Sequence, residues 1–85
     1  MYGIIFDPGA IDELSRLPFS VRKRIFSKIL SAKSNPFHFF IRLGGRLDYK
    51  LRVGDYRVIA DIDSLRKQIR VTLVGHRRNV YKQKR

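Results

Sequence analysis

From Leu47 onward, apolar and polar residues alternate with a period of two. Leu47, Tyr49, Leu51 and Val53 alternate with Asp48, Lys50 and Arg52. That period belongs to strands with one buried face. Gly54-Asp55 interrupts it with a two-residue turn, and glycine at the first central position suits type II′. Tyr56, Val58, Ala60 and Ile62 then alternate with Arg57, Ile59, Asp61 and Asp63. A second turn at Ser64–Arg66 leads to Gln68–His76. There Ile69, Val71 and Leu73 alternate with Arg70, Thr72, Val74 and His76. Three strands joined by tight turns make an antiparallel meander. Its apolar face needs a cover, which must come from upstream.

Upstream, residues 2–6 read as a short strand. Asp7-Pro8 reads as a helix start: the Asp7 carboxylate can accept from free N–H groups, and proline suits the first helical position. Ala10, Ile11, Leu14 and Leu17 follow at helical spacing. Leu17-Pro18 ends that helix, and a second begins near Ser20. Val21, Ile25 and Ile29 mark its apolar face, with Phe26 and Leu30 widening it, and Asn35-Pro36 closes it. A short connection between two amphipathic helices predicts a helical hairpin. The Phe-rich segment 37–47 is expected to be a connection with some of its Phe docked under the helices. Residues 79–85 read as a polar tail. The class is therefore α+β: an N-terminal helical hairpin packed on a small antiparallel sheet.

At 85 residues, one domain spanning 1–85 is expected. The absence of cysteine excludes disulfides, thiolate metal sites and a cysteine nucleophile. No apolar run reaches the roughly 20 residues of a membrane span, and the N-terminus lacks the blocks of a signal peptide. A cytoplasmic location is expected. The formal charge is +12, and it is unevenly spread. Residues 1–15 sum to −3, residues 16–63 to +7 and residues 64–85 to +8. Such a gradient fits a polyanionic partner better than a bland solubility surface, where the signs intersperse.

The Gly54-Asp55 turn fixes the register of the hairpin. Val53 meets Tyr56, Arg52 faces Arg57 and Lys50 faces Ile59. Like charges directly opposite one another are unfavourable, and an anionic ligand would relieve them. Salt bridges from Arg52 and Arg57 to Asp48, Asp61 or Asp63 are an even alternative. By strict alternation His76 shares this open face, and Arg77 and Arg78 follow at once. Lys50, Arg52, Arg57, His76 and Arg77 then form one patch. Arginine forks onto phosphate oxygens, and lysine supplies a point charge. A cation cluster disfavours a further positive charge, which offers Lys50, His76 and Tyr81 as candidate proton acceptors. His38 and His76 are isolated from one another and from the acids, so no metal-ligand spacing exists. RNA cleavage without metal stays open, because RNA carries its own nucleophile in the 2′-OH. Elsewhere the bland readings lead. Tyr49 and Tyr56 read as core, the run Arg22-Lys23-Arg24 as a solvated face, and the tail Lys82, Lys84 and Arg85 as a solvated end. For Arg22, Lys23, Lys82 and Lys84, contact with RNA phosphates is the functional alternative. His38 carries no signal above background.

Two stretches in order, Tyr49-Lys50-Leu51-Arg52-Val53-Gly54-Asp55-Tyr56-Arg57-Val58-Ile59 and Val74-Gly75-His76-Arg77-Arg78-Asn79-Val80-Tyr81, resemble the RelE/ParE superfamily of toxins from type II toxin–antitoxin modules, and the RelE branch most closely. The resemblance spans nearly the whole chain. It implies a RelE-like α+β fold with the first strand beside the meander. It also implies a ribosome-dependent endoribonuclease that cuts mRNA in the A site and inhibits translation, with neither metal nor cofactor, leaving a 2′,3′-cyclic phosphate and a 5′-OH. By the same resemblance Lys50 is the candidate base or proton relay, and Arg52 holds phosphate. Arg57 stabilises the transition state, Arg77 serves the leaving group and Tyr81 stacks on the scissile nucleotide. His76 and Arg78 are additional candidates. The implied partners are a cognate antitoxin, the ribosome and mRNA, with operator DNA bound through the antitoxin and no membrane contact. Two alternatives use the same fold: a ParE-like inhibitor of DNA gyrase, and a catalytically inactive relative that binds RNA.

Overall fold

A computed structural model describes residues 1–45 and 47–80. Strand β1 (Gly3–Phe6) leads into helices α1 (Pro8–Ser15) and α2 (Phe19–Ser31). A single turn of helix, α3 (Pro36–Phe39), and a two-residue strand, β2 (Ile41–Arg42), follow. The meander is β3 (Tyr49–Val53), β4 (Tyr56–Asp63) and β5 (Gln68–His76). The sheet order is β1-β5-β4-β3-β2. All neighbours are antiparallel except β1, which runs parallel to β5 from Gly3↔Gln68 to Phe6↔Val71. The expected α+β class holds, and the sheet is mixed because β1 reaches β5 only after the helical crossover.

The helices cover one face. Ala10 and Leu14 of α1, with Ile25 and Ile29 of α2, pack on Leu51, Val53, Val58, Ala60, Ile69, Val71 and Val74. Pro8 opens α1 as expected, but the Asp7 side chain makes no cap bond. Instead the Asp7 carbonyl accepts from Ala10 and Ile11, and the carboxylate lies 3.7 Å from the Arg70 guanidinium. The buried stripe is narrower than expected, since Ile11, Phe26 and Leu30 are exposed. Between residues 36 and 42 the expected connection contains α3 and β2. Only Phe40 of its three Phe is fully buried.

The hairpin register is the expected one: Val53↔Tyr56, Arg52↔Arg57 and Lys50↔Ile59. Gly54 has φ +59, a conformation that a side chain disfavours. One irregularity escapes the alternation. Ile59 pairs with Leu73 and Ala60 with Val71, so Thr72 is an extra residue in β5. Such a bulge shifts the side-chain phase of everything beyond it. Leu73 moves to the far face, where it joins Ile59, Val80 and Leu43 in a second small cluster. Val74 moves into the main core. Its N–H lies beyond the end of β1 and donates to Glu13 Oε1 at 2.7 Å. Among the described residues, no helix is long and apolar enough to cross a membrane.

Candidate functional site

The site is built at the β3 edge. Strand β2 pairs with β3 only at Tyr49 and Lys50, so β3 is uncovered from Leu51 to Val53. Helices α2 and α3 wall the gap. The result is a pocket of about 390 Å³ whose lining includes Lys28, His38, Lys50, Arg52 and Arg57. A second pocket of about 320 Å³ adjoins it toward the turn, lined by Arg24, Lys28, Arg52 and Gly54 among others. Among the described residues no carboxylate lines either one.

The salt bridges that would have explained Arg52 and Arg57 structurally do not form among the described residues. Asp61 pairs with Arg70 at 3.4 Å. Asp63 caps its own turn by accepting from the Leu65 and Arg66 N–H groups. Arg57 is anchored without a counter-ion: its Nη1 donates to the carbonyls of Gly54 and Tyr56, each at 2.9 Å. That leaves the remaining guanidinium N–H groups for another acceptor. Arg77 reaches the same turn. Its backbone N–H donates to the Asp55 carbonyl at 2.8 Å, and its Nε lies 3.8 Å from Asp55 Oδ1. Both partners of that pair are at least half exposed, so it holds Arg77 weakly.

Other expected positions differ. The Thr72 bulge places His76 opposite Tyr56 rather than beside Arg57. Their rings meet edge-on at 5.5 Å, so His76 belongs to the helix-covered side and leaves the expected patch. Its Nδ1 accepts from the Arg78 N–H at 3.2 Å, and Arg78 is exposed. Arg22 turns away from the pockets: its Nη1 donates to the Leu17 carbonyl at 3.1 Å and caps the end of α1. Lys23 is exposed on α2. Tyr81, Lys82 and Lys84 lie outside the described residues.

Three residues of the lining, Arg24, Lys28 and His38, carry no functional reading in the sequence, where Arg24 reads as part of a solvated face and His38 as background. Each helical residue advances by about 100°, so Arg22 and Arg24 fall on opposite flanks of the Ile25–Ile29 stripe. That geometry separates Arg24 and Lys28, on the β3 side, from Arg22. His38 had no such signal, because α3 was not expected. Among the described residues, no three His, Cys, Asp or Glu side chains gather into a metal-binding group.

A family model described as the ParE toxin of the type II toxin–antitoxin system parDE matches residues 4–81. The chain belongs to this toxin family. Solved relatives share the fold. The intact Escherichia coli RelBE toxin–antitoxin complex matches with a TM-score of 0.77 and 26% identity, over 89% of this chain and 96% of that one. The archaeal RelE–RelB complex of Pyrococcus horikoshii OT3 gives 0.76 and 25%, over 89% and 94%. The RelBE2 complex of Mycobacterium tuberculosis gives 0.79 at 20% identity, over 88% and 96%. No curated protein sequence matches. The chain is thus a RelE/ParE-superfamily toxin of the type II class, with the bare arginine pair at its β3–β4 hairpin.

Proposed function

We propose that the chain acts as a single toxin domain, a ribosome-dependent endoribonuclease that cuts mRNA in the A site without a metal. The observation that carries this reading is the Arg52–Arg57 pair, opposed across the hairpin beside Lys50 in a pocket that no described carboxylate lines. In the reaction the RNA 2′-oxygen bonds to the adjacent phosphorus, and the bond from phosphorus to the 5′-oxygen breaks. The 2′-OH gives up a proton, and the leaving 5′-oxygen takes one. Arg52 and Arg57 hold the phosphate oxygens as negative charge builds up on them. Arg77, freed from Asp55 by a competing phosphate, faces the leaving oxygen. Lys50 is the proton relay by family resemblance. His38 adds an imidazole to the same pocket. Tyr81 stacks on the nucleotide in this reading.

A cognate antitoxin is the expected partner, because the solved relatives are toxin–antitoxin complexes. It would carry acids for the basic face, and operator DNA would bind through it. The site of action is the cytoplasm. The family model favours a second reading, inhibition of DNA gyrase, since its description names ParE.

One experiment separates them. In a purified translation system, mRNA cleavage mapped by primer extension should occur only when ribosomes are present. Intact mRNA alongside blocked gyrase supercoiling would overturn the nuclease reading in favour of the second.

A further inference from the structure

The pocket beside the turn has no role in the chemistry above, yet its charges are equally unbalanced. Arg24 and Lys28 stand one turn apart on α2, a like-charged spacing that weakens a helix. Both are exposed, and neither has an ion-pair partner among the described residues. Arg24 lies against the turn: a Cβ added to Gly54 would lie 2.8 Å from Arg24 Nη2. Glycine there leaves room for a guanidinium to lie against the backbone. Arg52 and Lys28 line both pockets, so the two cationic spaces adjoin.

The geometry points to a second anion site formed by Arg24, Lys28 and Arg52, which takes a backbone phosphate of single-stranded RNA next to the reacting one. This rests on the nuclease reading for the identity of the strand. The site fixes the strand's path: it crosses the uncovered β3 edge and runs along the α2 flank toward the Gly54 turn. Adjacent phosphates would occupy the two pockets, with Arg52 shared between them. Arg22 and Lys23, on the same helix, lie off that path.

The test is fluorescence anisotropy with a labelled eight-residue 2′-O-methyl oligoribonucleotide, which cannot undergo transesterification. The full chain is compared with Arg24→Gln, Lys28→Gln and the control Arg66→Gln. Arg66 sits at the β4–β5 turn, a strand length of about 25 Å away, and is exposed. For single strands each lost phosphate contact makes the negative slope of log affinity against log salt shallower by about 0.7. At 0.1 M salt that corresponds to about fivefold weaker binding. Arg24→Gln and Lys28→Gln should each show this loss, while Arg66→Gln should stay within about twofold. Wild-type slopes for both α2 variants would overturn the site, as would a loss no larger than that of Arg66→Gln. Failure of the wild type to bind the oligonucleotide at 20 mM salt would do the same. The nuclease reading is judged separately, by ribosome-dependent cleavage. Loss of cleavage with the slope changes intact removes only that reading, and cleavage without slope changes removes only this site.

Discussion

Arg57 shows how a side chain can be both anchored and available. One guanidinium nitrogen is committed to two carbonyls of the turn, which fixes the plane of the group and leaves its other N–H groups to meet a phosphate. Lysine cannot do both, because its donors radiate from one nitrogen. Arg57→Lys should therefore lower the rate of ribosome-dependent cleavage by about 10²-fold, in line with the loss of one preorganised donor, while the melting temperature hardly changes. An unaltered single-turnover rate would show that a point charge is enough. Glu13 serves structure in the same economical way. It satisfies the N–H of buried Val74, which pairs with Val58 of β4 on one side but lies beyond the end of β1 on the other. Glu13→Ala leaves that donor bare and should cost about 1–2 kcal/mol, a drop of roughly 5–10 °C in melting temperature for a domain of this size. Glu13→Gln keeps an acceptor and should recover much of the loss. Circular dichroism melts of the three chains provide the check. The sequence makes Arg52 and Arg57 legible because a two-residue turn dictates their pairing. It hides the role of Glu13, because the bond joins residues 61 positions apart.

At the scale of elements, legibility follows the range of the forces involved. The β3–β4 hairpin is readable since turn chemistry and alternation are local and agree. The Thr72 bulge is not, because threonine fits a regular strand as well as a bulge, and one inserted residue reverses every side chain after it. His76 was misplaced for that reason alone. Strand β2 is too short for a period to show, and without it the pocket that includes His38 could not be anticipated. The helical hairpin was readable in outline, but its apolar stripe was drawn too wide. Ile11 and Phe26 remain exposed because the sheet is covered before they are reached. With Phe6, Leu14 and the stem of Arg22 they line an apolar groove of about 390 Å³ on the α1–α2 side. The proposed antitoxin gives this groove an occupant: an amphipathic segment whose apolar residues fill it and whose acids reach the basic face. Phe26→Asp places a charge in that apolar seat and should weaken the complex at least tenfold, with little change in the fold of the free toxin, since Phe26 is already 42% exposed. Size-exclusion co-elution with the antitoxin, followed by titration calorimetry, reads the loss. Undiminished affinity would move the docking site elsewhere.

Among the described residues most acids lie away from the free cations, and Asp55, at the Gly54 turn, is paired with Arg77. Asp7, Asp12 and Glu13 lie at or within α1, and Asp61 and Asp63 lie at the far end of β4. Most of these carboxylates are paired with arginines of their own region. Arg24, Lys28, Lys50, Arg52 and Arg57 gather instead at the β3 edge and the Gly54 turn. The net charge of +12 is therefore more than a solubility device, because five cations without a carboxylate partner among the described residues gather where a strand of RNA is proposed to lie. Counter-ion release then governs association. If about five phosphates are contacted, the slope of log affinity against log salt should be near −3.5 for single-stranded RNA. Raising monovalent salt from 50 to 200 mM at constant magnesium should weaken binding to mRNA-programmed ribosomes about 10²-fold. Pelleting of labelled toxin with programmed ribosomes measures this directly. A change below about threefold would mean that few phosphates are engaged, and the concentration of charge at the hairpin would then need another partner. Repeating the pelleting with Arg24→Gln and Arg66→Gln locates the effect on the surface. The first should flatten the salt dependence and the second should not, because only the first removes a charge from the face turned toward the RNA.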